Sequence, residues 1–438
     1  MGGESVYQGA DPAVEFEEQA KAAGLTLPER RRAPIGEVAA IVAVIILISV
    51  GIGAATGWMN LSPAGNGPPG LFGPEACSGQ AGQRVALTGT LSADSEVLVS
   101  SSWTELTERF VGAYGSCVEI TYTSSASSSG LGALSSGQAQ FAVLTSAPTK
   151  SDLSQLPNAT FVIPVGLTSV SVVYNVPGVS AAIQLNGSTL AAIYEGTITQ
   201  WNNPSIAQLN PGLNLPANLP ISVVYRSDPT PLNDAFTGFL SASSSRWNAS
   251  IGQGNQVPWP SGVGEGSAVA AVNRVANESG AIGYVATGTT LQSPVGIAAL
   301  EDLAGTFVSP TATAVANAAE SAFNAGASTI ENWTGASLLN APGNDSYPLS
   351  YLSYLVVYHD LGRAFGPKLT LLAAQWQMTF LWWVLSDGGY VTAPLGLDQL
   401  PGSVVAPSQL AMEQVAYNGK SILETSEGAE SGGETGQF

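Results

Sequence analysis

The sequence of 438 residues holds one histidine and two cysteines, and 10% of its residues are charged, against a usual share of about a quarter. Each shortage removes a class of function. With His359 alone, and with Cys77 and Cys117 distant from it in sequence, neither a closed zinc site nor a Ser-His catalytic pair is in prospect. No metal, cofactor or catalysis is expected. Lys and Arg number 13 against 32 Asp and Glu, and the net charge of -19 argues against nucleic acid as a partner. The chain also lacks a G-x-x-x-x-G-K-[ST] loop, so any ATP-driven step belongs to another polypeptide.

What is present is an apolar share of 45%, enough for two or three packed domains, and an uneven spread of charge. Residues 1–37 hold Glu4, Asp11, Glu15, Glu17, Glu18, Lys21, Glu29, Arg30, Arg31, Arg32 and Glu37, a far denser charge than in the rest. Val38 to Trp58 comes next without a charge and is long enough to cross a bilayer. The preceding arginines put residues 1–37 in the cytoplasm and the remainder outside. A pilin-type leader of archaeal kind, cut near Arg32-Ala33, is the competing reading of this segment, and it too leaves the large region external. Outside the cell two cysteines favour a disulfide between Cys77 and Cys117, with two free thiols as the alternative.

Residues 59–83 read as a Pro/Gly linker. Strand Arg84 to Thr88, a loop Gly89 to Glu96, a helix through Trp103, Leu106 and Phe110, and strand Val118 to Tyr122 then give the alternating rhythm of a parallel sheet. The stretch Tyr122 to Pro148 organises the rest of the chain: a serine-rich turn opening a short helix, then the apolar strand Phe141 to Leu144 and a second hydroxyl turn. A turn that ends a strand and opens a helix gathers unpaired N–H groups and hydroxyls at the positive end of the helix dipole, which outlines an oxyanion site. Serine runs also cap helices without binding anything.

Phe161 to Asn175 is too long for one strand in one sheet and reads as a crossover into a second domain. There, Arg226 and Asp228 end a predicted strand Ile221 to Tyr225, Thr230 is a candidate N-cap, and Pro231 suits the first turn of a helix to about Leu240. The charged pair is placed like a site, although a local ion pair holding a turn accounts for it equally well. Residues 370–385 read as a buried core helix rather than a second span, and the acidic, Gly-rich tail as disordered.

The order of these motifs resembles the phosphate-binding receptors of phosphate ABC transporters, the PstS family, from about Val85 to Ser421. The resemblance rests on S-A-P at Ser146 to Pro148, Y-N-V-P-G at Tyr174 to Gly178, L-x-x-I-Y-x-G-x-I-x-x-W-N at Leu190 to Asn202, L-N-P-G-L-x-L-P at Leu209 to Pro216, R-x-D at Arg226 to Asp228 and G-A-I-G-Y-V at Gly280 to Val285. It implies an α/β, two-domain type II periplasmic-binding-protein fold with a hinged cleft. Domain I would span residues 84–167 and 287–421, domain II residues 168–286, and a tail residues 422–438.

The resemblance also implies a ligand, phosphate or a related tetrahedral oxyanion, and partners, an ABC permease and ATPase on separate chains. The family's serine turn falls on Ala126 to Gly130, making Ser127 and Ser128 donors. Its R-x-D-G-S-G-T motif carries over to Arg226 and Asp228, with Thr230 for the serine, while Pro229 and Pro231 replace glycines and remove two N–H donors. Its first loop falls on Leu91 to Glu96, bringing in Ser92 and Asp94, and the aspartate of its S-D-A-P motif is here Ser146. In the family that carboxylate accepts the proton of a protonated phosphate; Asp94 or Asp228 would have to replace it. The sparse external charge fits an acidic surrounding medium. The alternative is a receptor fold that has lost its ligand and serves as a cell-surface or pilin-like assembly component.

Overall fold

The structure, a computed structural model, describes residues 71–73, 77, 84–92, 97–125, 127–324, 333, 337–392 and 397–422. The expected cytoplasmic segment, the membrane helix 38–58, most of the linker, Asp94 and the tail after Ile422 lie outside the described residues.

Parallel strands β1 (Val85–Ser92) and β2 (Val118–Ser125) flank α1 (Val97–Tyr114), whose Trp103, Leu106 and Phe110 are buried at i, i+3 and i+7 and seat it on the sheet. Helix α2 (Ser127–Ser136) and strand β3 (Phe141–Leu144) come next. β1 runs four residues beyond the expected strand, because its register with β2 continues to Ser92 opposite Ser125. Gly89 is no loop residue. A Cβ there would lie 2.5 Å from the Phe141 ring, so the glycine lets the two strands' cores close together.

The expected crossover is a single strand, β4 (Thr160–Tyr174), buried along all but its first residue. It changes partners half-way. Thr160 to Ser169 pairs antiparallel with β12 (Ser350–Tyr358), whereas Val170 to Tyr174 pairs antiparallel with β8 (Ala281–Ala286). Pro164 and Gly166 do not break it; the register shifts beside them, between Ser353 and Tyr354, which leaves Val165 as the extra residue of a bulge.

The second lobe continues with β5 (Gln184–Leu185), α3 (Gly187–Tyr194), β6 (Ser222–Arg226), α4 (Pro231–Ser243), β7 (Val263–Glu265) and α5 (Ala268–Asn277) before β8. Thr230 caps α4 and Pro231 is its first residue, as the sequence predicts. The return to the first lobe comes later than residue 287. Strand β9 (Gly296–Ile297) pairs with β4 at Val173 and Tyr174, and β10 (Ala299–Glu301) pairs with β5 and with β11 (Phe307–Val308), so residues 296–308 belong with the second lobe. Helix α6 (Ala312–Asn324) then packs on β4 and β12.

Nine strands share one sheet in the order β2-β1-β3-β12-β4-β8-β6-β7, with β9 on β4. Helix α7 (Leu371–Trp383) lies in the first lobe's core, with Trp376 and Phe380 inaccessible. Among the described residues no helix is long and apolar enough to cross a membrane. Cys77 and Cys117 form a disulfide, and Phe72 stacks on Trp376 at 4.3 Å, so the chain just before β1 is fastened to the first lobe.

Candidate functional site

Strand direction decides where the site can be. Leu144 of β3 pairs with Tyr354, Tyr354 pairs with Pro164, and β4 runs on from there to Val170, opposite Ala286. β1, β2 and β3 therefore end pointing towards the second lobe. β8 and its parallel neighbour β6 are antiparallel to β4, so their carboxyl ends point back towards the first. Ser92, the Ser127-Ser128 start of α2 and Ser146 occupy the first edge, and Arg226 with Asp228 the opposite one. Ligands of open α/β sheets bind outside the carboxyl ends of the strands, and here two such edges meet.

The crossing point is fastened by hydroxyls. Thr287 Oγ1 donates to the Ser169 carbonyl at 3.0 Å, leaving it to accept from the hydroxyls of Ser169 at 2.6 Å and Ser171 at 2.8 Å. The Tyr347 hydroxyl donates to the Val170 carbonyl at 2.8 Å. These bonds tie both lobes to the one residue step in β4 where the partner changes.

A cavity of about 230 Å³ opens between the edges. Thr145, Ser146 and Ala147 line it from the turn after β3, and Pro231, Asp234 and Ala235 from the first turns of α4; Gln253, residues 337–339 and β12 complete the wall. Ser146 is thus brought to the start of α4. Thr145, which the sequence reading passed over, is 4% exposed and its hydroxyl has no hydrogen-bond partner. A buried hydroxyl facing a cavity without a partner is costly unless a ligand or water completes it.

Arg226 is inaccessible and forks onto Asp228: Nε donates to Oδ1 at 2.8 Å and Nη2 to Oδ2 at 2.7 Å. Such a bidentate pair fixes the plane of the guanidinium. Asn233, also missed, holds the turn that carries the pair. Its Nδ2 donates to the carbonyls of Arg226 at 3.1 Å, Asp228 at 2.9 Å and Asn255 at 2.9 Å. Tyr284 closes the loop, its hydroxyl accepting from the Arg226 N–H at 3.2 Å and donating to Asn233 Oδ1. Burial pushes the Tyr284 phenol well up, so it stays a neutral donor. Thr230 is spent largely on structure: its hydroxyl accepts from the Leu232 N–H at 3.3 Å, and its own N–H donates to Asn255 at 3.4 Å.

Asp234 accepts from Gln253 Nε2 at 3.1 Å, and burial raises its carboxyl above the ordinary range, the Gln253 bond opposing this. Asp94, the other carboxylate proposed from sequence, lies outside the described residues. Nothing but the hydroxyl turn T-S-A-P marks Thr145 in the sequence, and nothing marks Asn233.

A family model described as PBP superfamily domain matches residues 81–388. The phosphate-binding protein PstS of Pasteurella multocida is 31% identical over 255 residues, 58% of this chain and 71% of that protein. That of Haemophilus influenzae is 30% identical over 267 residues, covering 59% and 74%. The chain belongs to the PstS family. For PstS of Xylella fastidiosa, 31% identical over 265 residues, the match covers 66% of the relative. The solved high-affinity periplasmic phosphate-binding protein PfluDING, bound with phosphate, shares the fold at a TM-score of 0.52 and 16% identity over 74% of this chain and 93% of that one. A DING protein matches at 0.53 and 16%, covering 76% and 99%. Of the positions at which the sequence was expected to depart from the family's motifs, Ser146 and Pro231 line the cavity, and Pro229 is not among its lining residues.

Proposed function

We propose that the chain is a membrane-anchored, extracellular receptor that captures phosphate or a related tetrahedral oxyanion for an ABC importer. The single observation that carries this is the meeting of two carboxyl sheet edges, one bearing serine and threonine hydroxyls and the other a fixed, buried guanidinium. Hydroxyls and N–H groups donate to anion oxygens, Arg226 supplies the countercharge, and closure of the lobes about the step at Ser169-Val170 buries the ligand. The Pasteurella and Haemophilus relatives are phosphate-binding proteins, which supports phosphate as the first anion to try. Residues 38–58 would hold the receptor at the membrane, with permease and ATPase as separate chains.

A second reading is favoured by Pro229 and Pro231. Neither offers an N–H, and Pro231 lines the cavity itself. A receptor fold that has lost its anion and serves in surface assembly would tolerate them. Calorimetric titration of the full chain in detergent, with phosphate, sulfate and arsenate, separates the two. Phosphate binding lost in Arg226→Ala and weakened in Arg226→Lys, both folded by circular dichroism, supports the receptor. No heat with any oxyanion supports assembly.

A further inference from the structure

One recurrent motif of the described region plays no part in the anion site. Asn158-Ala159-Thr160, Asn186-Gly187-Ser188, Asn248-Ala249-Ser250, Asn277-Glu278-Ser279 and Asn344-Asp345-Ser346 are N-x-S/T sequences, the acceptor pattern for N-linked sugar. An acceptor in a folded chain needs its amide nitrogen and the hydroxyl two residues on within reach of a transferase, on backbone that can bend into the enzyme.

Two of these sequences fail that requirement. Ser346 is inaccessible, and its hydroxyl donates to the Pro342 carbonyl at 3.2 Å. Asn158 is half-buried, the Ala159 carbonyl accepts from the His359 N–H at 2.9 Å, and Thr160 is already paired with Tyr358 in β4. The other three meet it. Asn248, Ala249 and Ser250 are all exposed at the end of the short helix Ser245–Ser250, and the Asn248 side chain has no hydrogen-bond partner among the described residues. Asn277 is the last residue of α5 and is exposed together with Ser279. Its Nδ2 donates to the Asn273 carbonyl at 2.7 Å, which uses one of two hydrogens. Final helical turns fray, so both amides can be drawn out. Asn186 caps α3 with its oxygen alone: Oδ1 accepts from the Thr189 N–H at 2.9 Å and from the exposed Ser188 hydroxyl at 3.0 Å. A sugar on Nδ2 would leave that cap in place.

All three lie away from the cavity. Helix α4 starts on the cavity wall at Pro231 and ends at Ser243, where Gly187 packs against it and the helix Ser245–Ser250 follows directly. Helix α5 runs back from the carboxyl end of β7 to the amino end of β8, which sets Asn277 at the edge of the sheet opposite the anion site.

Resting on the external location in the receptor reading, we propose that the second lobe carries N-linked oligosaccharides on Asn186, Asn248 and Asn277. In the transfer each Nδ2 bonds to the anomeric carbon of an oligosaccharide held on a lipid pyrophosphate. The bond from that carbon to the pyrophosphate oxygen breaks, the lipid pyrophosphate leaves, and the amide proton passes to a base of the transferase. Scarcity of charge points the same way. Charged residues make up 10% of the chain, against a usual share of about a quarter, and sugar hydroxyls supply the missing hydration without adding a group that titrates.

The test is peptide mass spectrometry of the full chain purified from its own cells, beside the same chain made in a cytosol without the transferase. Native peptides holding Asn186, Asn248 and Asn277 should each carry one oligosaccharide, and those holding Asn158 and Asn344 none. Asn248→Gln and Asn277→Gln should each remove one oligosaccharide from the intact mass. Ser188→Ala should remove the one on Asn186 while sparing the α3 cap. Sugar-free and native chains should bind phosphate within about twofold of each other, as positions remote from the cavity require. Bare asparagines at all three positions, or sugar on Asn158 and Asn344 instead, overturn the assignment, and phosphate binding in that protein leaves the receptor reading standing. Sugar at the three positions on a native chain that binds no oxyanion keeps the assignment and sinks the receptor reading.

Discussion

Replacing Asn233 by alanine should destabilise the protein and loosen its grip on an anion, although Asn233 need not touch the ligand. The side chain is 1% exposed and its Nδ2 is within 3.1 Å of three carbonyls, so at least one of its two hydrogens is shared. Its Oδ1 takes the Tyr284 hydroxyl, which in turn receives the Arg226 N–H. Alanine leaves up to three groups short of a partner, the carbonyls of Arg226 and Asp228 and the Tyr284 hydroxyl, since the Asn255 carbonyl keeps the Thr230 N–H. Each costs about 1–3 kcal/mol unless water enters, and the cavity left by the amide admits a water to one or two of them, so a net loss of about 2–4 kcal/mol is expected. Asn233→Asp should be worse, since a carboxylate would face three carbonyl oxygens. Equilibrium urea unfolding at pH 7 reads the loss as a lower midpoint. In the same variant phosphate affinity should drop by about tenfold or more, because the Arg226–Asp228 turn no longer has a fixed position. A loss under about 0.5 kcal/mol with unchanged affinity would refute the claim that this amide builds the site.

Removing the disulfide with Cys77→Ser should cost roughly 3–4 kcal/mol, as expected for a closed loop of this size, and free the Phe72 segment from α7 while leaving anion binding intact; thermal melts of the variant check this. Burial alone would raise the carboxyl of Asp360. Backbone N–H bonds from Arg363 at 2.9 Å, Asn418 at 2.9 Å and Gly419 at 2.7 Å, together with the Arg363 guanidinium, outweigh it and hold the carboxyl below its ordinary value. A lowered carboxyl gives stability that is present above its unfolded value near 4 and is lost as pH falls through the folded one. Asp360→Asn keeps a capping oxygen but loses the charge, so it should cost up to about 1 kcal/mol at pH 7, with the gap from the native protein closing below about pH 4 in melts across pH.

The scaffold was legible wherever a period or a charge stood out. The Trp103, Leu106 and Phe110 stripe placed α1, and Phe141 to Leu144 was located to the residue. Arg226 and Asp228 attracted notice because charge is so scarce outside the N-terminal segment, and they do pair. Gly89 misled because a glycine admitting a neighbour's ring looks, in one dimension, like one that opens a loop. Strands β9 and β10 span two and three residues, too short to leave a period of two, and so the second lobe was ended too early. The placements of Thr145, Asn233 and Asp234 were illegible for another reason. A threonine after a strand, or an asparagine or aspartate early in a helix, is ordinary in sequence; each matters here through what lies across the cavity or the turn. Thr145 and Asp234 reach one cavity only because the sheet sets β3 and β6 in line through β12, β4 and β8.

The most direct test of the central claim is a crystal structure of the full chain grown with arsenate, whose arsenic is located by its anomalous scattering. The receptor reading predicts a single strong peak between the carboxyl ends of β3 and β6, with oxygens in hydrogen-bond reach of Ser146 and Arg226. A peak elsewhere, or none in crystals whose lobes have the structure described here, would contradict it.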